Sequence, residues 1–183
     1  MSTDIILFNG VNKLGFDNTL TIEIVKKPIR GKLNVVEGKD FAYNRNLVEN
    51  KLIDIILSPE KEVIKDAMHH RNSGLNQVVC KFAKNNNIAI GFSLNEILKS
   101  KHRKALIGRM IQNVKLCRKY KVKMVFGSFA NNKWQLRSKA DMLSFAKVIG
   151  MNDKEAKESL TNIENILKRK KENWVRKGVR VLE

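Results

Sequence analysis

Six short, mostly apolar runs recur along the chain with helical patterns between several of them, and this alternation limits the fold more than any other feature. The runs are Asp4 to Asn9, Leu20 to Val25, Leu33 to Val36, Ile53 to Leu57, Ile88 to Ser93 and Met124 to Ser128. Each has the length of a strand. Continuous rather than alternating hydrophobicity suits strands covered on both faces, as in a parallel sheet. The expected class is therefore α/β.

The intervening segments carry helix signals. Leu75, Val78, Val79 and Phe82 recur at helical spacing after Ser73-Gly74, predicting a helix to about Lys84 that stops at Asn85-Asn86-Asn87. From Lys101 to Tyr120, Leu106, Ile107, Met110, Ile111, Val114 and Cys117 share one face, and Lys104, Gly108, Lys115 and Lys119 share the other. Ser138 with Asp141 forms a capping box, and Gly150 is placed to end the helix it opens. Asn152 with Glu155 and Thr161 with Glu164 suggest two more starts, the last helix running into Lys168-Arg169-Lys170-Lys171. No solenoid-period repeat and no Ser/Pro-rich linker interrupts the pattern, so residues 1–183 are expected to form a single domain.

Charge narrows the partner. Lys and Arg total 36 against 18 Asp and Glu, a formal net charge of +18. Residues 1–100 contribute 14 and 11 of these, net +3, and residues 101–183 contribute 22 and 7, net +15. Solubility needs far less than this, so a polyanionic partner is implied. No apolar run approaches the roughly 20 residues of a spanning helix. The first residues show neither a basic n-region nor a secretory h-region, and a cytoplasmic location is expected.

The usual catalytic signatures are missing. His69, His70 and His102 fall in no metal-binding spacing, and the first two read as a solvated loop pair. There is no CxxC, GxSxG, GxxxxGK[ST] or GxGxxG. Cys80 and Cys117 sit on apolar helix faces and are expected to be buried thiols.

Longer strings add a resemblance. The stretch Asn44 to Pro59, NRNLVENKLIDIILSP, closely resembles the ribonuclease P protein component 3 family, the archaeal relative of a eukaryotic nuclear RNase P subunit. Asn87 to Leu94, Cys117 to Val122, Gly127 to Ala130 through Trp134 to Arg137, and Asp141 to Leu143 with Val148 to Met151 agree with it in order. The likeness extends from about Leu33 to Leu167, while Met1 to Gly31 matches poorly and shows no good helix between its two strands.

The resemblance implies a TIM-barrel-like α/β fold, a form that usually takes about 250 residues; at this length a barrel shortened or incomplete at its N-terminus is expected. It implies a non-catalytic protein subunit of ribonuclease P, without an active site of its own, that supports 5′-leader removal from precursor tRNA. The partners implied are the RNase P RNA, RNase P protein component 2 in a hetero-oligomer, other RNase P proteins, and precursor tRNA indirectly. No cofactor is expected on the protein; magnesium is used by the RNA. Six residues are candidate RNA contacts. Arg45 lies in the best-matching string, near the end of a strand, where phosphate contact stands beside an ion pair with a carboxylate such as Glu49. Arg71 precedes the Ser73 helix. Arg103 is in the first turn of its own helix, where packing or partner contact is the alternative. Lys115 and Lys119 share an exposed face, and Arg137 lies beside Trp134, where phosphate pairing could combine with base stacking. Lys168 to Lys171 read as non-specific electrostatics. Two other readings remain: a basic ribosomal or chromatin-type protein, and an autonomous phosphoesterase on a related barrel.

Overall fold

The computed structural model describes residues 1–61, 66, 68 and 71–171, and the backbone of 174–176 and 179–180. All six expected strands form: β1 (Thr3–Ile6), β2 (Asn18–Thr21), β3 (Val35–Glu37), β4 (Ile55–Leu57), β5 (Ala89–Ser93) and β6 (Met124–Gly127). β1 and β2 pair in parallel, and β3-β4-β5-β6 form a second parallel sheet in sequence order. Single parallel bridges, Ile24 to Val35 and Ile6 to Ala130, join the two sheets at both edges. Among the described residues the six strands thus complete a circuit, but without a continuous ladder: the architecture is TIM-barrel-like and not a regularly closed barrel. No helix separates β1, β2 and β3, consistent with the weak helical signal before Gly31.

Strand alternation divides the core in two. Ile5, Val35, Ile55, Leu57, Ala89 and Val125 turn to the inside of the circuit. Val36, Ile56, Ile90, Phe92, Met124 and Phe126 turn outward, against helices. Those helices are α1 (Phe41–Glu49), α2 (Gln77–Asn85), α3 (Leu94–Lys99), α4 (Arg103–Tyr120), α5 (Lys139–Val148) and α6 (Asp153–Ser159). A two-faced burial of this kind is what the continuous apolar runs require.

The seventh helix, α7 (Asn162–Lys171), closes the end of the circuit where the strands begin. Ile163 and Ile166 join the interior cluster. Asn162 Nδ2 donates to the Met124 carbonyl at 2.8 Å, and Arg169 Nη1 to the Asn87 carbonyl at 3.0 Å. Lys170 Nζ reaches the Lys32 carbonyl and lies 2.7 Å from Asp54 Oδ2, with Arg169 Nη2 3.4 Å from Asp54 Oδ1. Asp54 is buried and also accepts from the Asn34 backbone N–H at 2.8 Å. Arg169 and Lys170 therefore have structural partners, a correction to reading the whole 168–171 run as non-specific charge. Backbone strands β7 (Trp174–Arg176) and β8 (Val179–Arg180) pair antiparallel beyond it.

Several local expectations shift. The α2 cap is Asn76, whose side chain accepts from Val78 and Val79 N–H, so the helix begins at Gln77, two residues after Leu75. The Ser138/Asp141 and Asn152/Glu155 capping boxes are both formed. Thr161 and Glu164 form no such box: Glu164 accepts instead from Thr3 Oγ1 at 2.6 Å and Asn18 Nδ2 at 3.1 Å, tying α7 to β1 and β2. Cys80 and Cys117 are free and buried, as their helix faces predict.

Candidate nucleic-acid interface

Helix α4 is the scaffold on which most candidate contacts converge. Its buried Asn113 donates to Glu60 Oε2 and to the Ser73 carbonyl, each at 2.9 Å, so the loop before α2 is held against it. One residue earlier, Gln112 accepts from Arg71 N–H at 3.3 Å and donates to the Arg71 carbonyl at 3.0 Å and to Ser73 Oγ at 2.9 Å. Arg71 is thereby fixed at its backbone, and its guanidinium lies directly on Gly108, where an added Cβ would collide with Nη1 and Cζ. The absence of a side chain at Gly108 makes the seat.

Ahead of this seat the start of α4 opens a cavity of about 370 Å³ lined by Arg71, Lys101, His102, Arg103, Lys104 and Ala105. Four cations surround it and, among the described residues, no carboxylate lines it. The N-cap, His102, supplies no side-chain hydrogen bond to the helix. Among the described residues the first-turn N–H groups of this 18-residue helix thus have no side-chain acceptor, and helix N-termini attract anions through these groups and the helix dipole. Phosphate is the ligand type that such a cavity suits.

The structure brings Arg71 and Arg103 into this one cavity, but Arg103 also has a structural task. Its Nε and Nη2 donate to the Ile97 and Leu98 carbonyls at 3.1 and 2.8 Å, capping the end of α3. Lys115 and Lys119 are exposed further along α4, and Lys119 Nζ lies 5.6 Å from the Tyr120 ring centroid. Arg45 is not near a strand end; it lies within α1, because the chain enters a helix at Asp40, whose side chain caps Tyr43 N–H. There it forms an exposed i,i+4 pair with Glu49 at 3.6 Å, the alternative weighed from sequence. Arg137 stands apart, in a loop whose buried anchor is Asn12. His69 and His70 lie outside the described residues.

Sequence reasoning did not single out the polar cluster at the carboxyl ends of β3 to β5, where barrel enzymes carry their chemistry. Lys61 Nζ sits 2.5 Å from Glu37 Oε1 and 3.5 Å from Glu96 Oε1. Burial alone would pull the Lys61 ammonium down, but its bonds to Glu37 and Glu96 outweigh that and hold its pKa above the ordinary value. An amine nucleophile or base needs the opposite shift. Glu60, fully buried beside it, is pushed up to about 8 by desolvation, with repulsion from Glu96 adding to it. Among the described residues Glu60 Oε1 and Asn113 Oδ1 have no hydrogen-bond partner. A proton on the carboxyl would remove the charge that burial penalises and make Glu60 a donor as well as an acceptor. Among the described residues no three His, Cys, Asp or Glu side chains group as a metal site would require. Nor is any described helix long and apolar enough to cross a membrane.

Comparison with known proteins follows the same direction. The family model described as RNase P subunit p30 matches residues 3–175. Ribonuclease P protein component 3 of Methanosarcina acetivorans is 36% identical over 154 residues, covering 81% of this chain and 61% of the relative. The protein of that name from Methanococcoides burtonii is 31% identical over 186 residues, covering 92% and 74%. A chain in the cryo-EM structure of archaeal ribonuclease P with mature tRNA superposes with a TM-score of 0.67 at 25% identity, covering 82% of this chain and 64% of that one. The chain thus spans about 61% of the length of the first of these relatives.

Proposed function

The chain belongs to the RNase P subunit p30 family, and from that premise we propose that it is a protein subunit of a ribonuclease P ribonucleoprotein, supporting removal of the 5′ leader of precursor tRNA. The observation that carries the reading is the cationic cavity at the start of α4, lined among the described residues by no carboxylate, beside Arg71 on its Gly108 seat. Cations placed this way neutralise phosphates of a folded RNA and release its counterions, an effect that weakens steeply with salt. Shape and backbone contacts fit A-form RNA, whose deep groove hides the base edges. Arg71, Arg103, Lys115 and Lys119 form the principal contact line along α4, with Arg45 and Arg137 as outlying contacts. In this reading the hydrolysis belongs to the RNA and its magnesium ions, the protein binds no cofactor of its own, and the assembly acts in the cytoplasm.

RNase P protein component 2 is the proposed protein partner, alongside the RNA and other RNase P proteins. The test is reconstitution: the chain, RNase P RNA and component 2 are combined with precursor tRNA at moderate magnesium. Cleavage should rise above that of the RNA with component 2 alone. No stimulation would overturn the proposal in favour of an unrelated basic RNA-binding protein. Cleavage by the protein without RNA, abolished by a chelator, would instead favour the phosphoesterase reading.

A further inference from the structure

We propose that Trp134 is a stacking platform for an unpaired nucleotide, at a site separate from the α4 cavity. The inference rests on the RNA-binding reading above and adds to it a second contact of different chemistry. Trp134 is 78% exposed, about twice as much as Phe41 (39%) and Phe82 (38%), while Phe92, Phe126 and Phe129 are buried. Lys133 Nζ lies 4.9 Å from its ring centroid, a cation over part of the π-surface.

The exposed ring is held on a built mount. Trp134 lies in a single 3₁₀ turn, Lys133–Gln135, capped by Asn132, whose side chain accepts from Trp134 N–H at 3.1 Å. Asn131 N–H donates to Gln135 Oε1 at 2.7 Å across the turn. Arg137 Nη1 folds back to the Trp134 and Leu136 carbonyls at 3.1 and 2.7 Å. The Arg137 carbonyl in turn accepts from Asn12 Nδ2 at 3.0 Å, and the same Nδ2 donates to Asp4 Oδ2 at 2.7 Å. Both Asn12 and Asp4 are buried. A bonded path therefore runs from the body of β1 to the backbone that carries the indole, so little backbone freedom remains to be lost when a ligand stacks on the ring.

Charge selects the ligand. Residues 131–139 hold Lys133, Arg137 and Lys139 and no carboxylate. The next acid, Asp141, is engaged in the α5 capping box. An aromatic face flanked by cations is the pairing that single-stranded nucleic acid recognises, base on ring and phosphate on side chain. A duplex has its bases already stacked and cannot use the ring. Val11 and Leu14, exposed on the loop that Asn12 and Lys139 tie to this turn, make a protein contact the competing outcome.

The experiment uses the full chain with Trp174→Phe, so that emission reports Trp134, and two probes: an oligouridine and an RNA duplex of equal length. Oligouridine should quench the emission. Trp134→Ala should weaken oligouridine binding about 5- to 100-fold, Trp134→Phe should recover most of the loss, and duplex affinity should change less than twofold. Unchanged oligouridine affinity in Trp134→Ala, with duplex still bound, overturns this inference and leaves the RNA-binding reading standing. So does loss of association with component 2 without any change in RNA affinity, which would mark the ring as a protein contact. Binding of neither RNA by the parent chain overturns both.

Discussion

Glu60 offers a sharp test of how the α4 scaffold is assembled. Its carboxyl is buried, receives one hydrogen bond from Asn113, and has a folded-state pKa of about 8 against an ordinary 4.5, desolvation being the largest cause. Between those two values the unfolded chain has released the proton while the folded chain keeps it. The folded state then binds more protons, so stability is fully present below the ordinary value and is lost as pH rises toward the folded one. One such group contributes a slope of about 1.4 kcal/mol per pH unit. Between about pH 5 and 7 the loss comes to roughly 2 to 3 kcal/mol, an appreciable part of the usual 5–15 kcal/mol of a domain. Glu60→Gln keeps an acceptor for Asn113 Nδ2 and does not titrate. Urea unfolding followed by circular dichroism across that range should give a falling profile for the parent chain and a flatter one for the variant, the difference growing with pH. The carboxyls of Asp17, Asp153, Glu155 and Glu164 are held below their ordinary values by their hydrogen bonds, so their contributions fade only in more acidic solution. Parallel profiles for the two proteins would refute a neutral, buried Glu60.

Three further outcomes are expected. Gly108→Ala displaces only the flexible end of Arg71 while removing a helix-interior glycine, so thermal unfolding should show a gain of up to about 1 kcal/mol, and filter binding at low salt should show weaker RNA affinity. Asp54→Ala removes the partner of Arg169 and Lys170 and the acceptor for Asn34 N–H, and should cost about 2–4 kcal/mol in chemical denaturation; a change below about 0.5 kcal/mol would mean that α7 is held by its isoleucines alone. Cys80, pushed up to about 12 by burial, and Cys117, raised well above its ordinary value by desolvation, should resist a thiol reagent in the folded chain and react fully in denaturant; rapid labelling under native conditions would contradict their burial.

The parts of the fold legible from sequence are those where burial is continuous. Six apolar runs became six parallel strands, five of them covered on both faces and β2 exposed at both ends, and the two true capping boxes locate α5 and α6 to the residue. Helix α1 escaped because its inward face carries Asn44, wholly buried and bonded to the Lys39 backbone and the Gly74 carbonyl, which breaks the apolar period. Helix α3 escaped for another reason: Ser93 ends β5 and caps α3 at once, so no loop marks the change, although Ser93 three residues before Glu96 is the spacing of an N-cap signal. At the site, the cations were visible but their partners were not. Arg45 with Glu49 can be read from i,i+4 spacing; Asp54 with Arg169, or Arg118 with Glu155, joins residues that only the tertiary fold makes neighbours.

Those distant partners change what the net charge means. The sequence concentrates +15 after residue 100, which points toward the lysine-rich end of α7 as much as toward α4. In the folded chain Arg169 and Lys170 spend their charge on Asp54, and Arg118 bonds to both Glu155 oxygens at 2.7 and 2.6 Å. At the carboxyl ends of the strands, Lys61 is held between two glutamates. The cavity at the head of α4 is different in kind: Arg71, Lys101, Arg103 and Lys104 line it, with no carboxylate among its described lining residues. Cations paired inside a protein gain little by meeting a phosphate, since an existing partner must first be displaced. Those gathered without an acid are repelled by one another and are relieved when an anion binds. Salt dependence of RNA affinity can separate the two groups. Substituting Arg71 or Lys104 should lower the slope by about one counterion each, whereas substituting Lys170 should change stability and leave the slope nearly as it was.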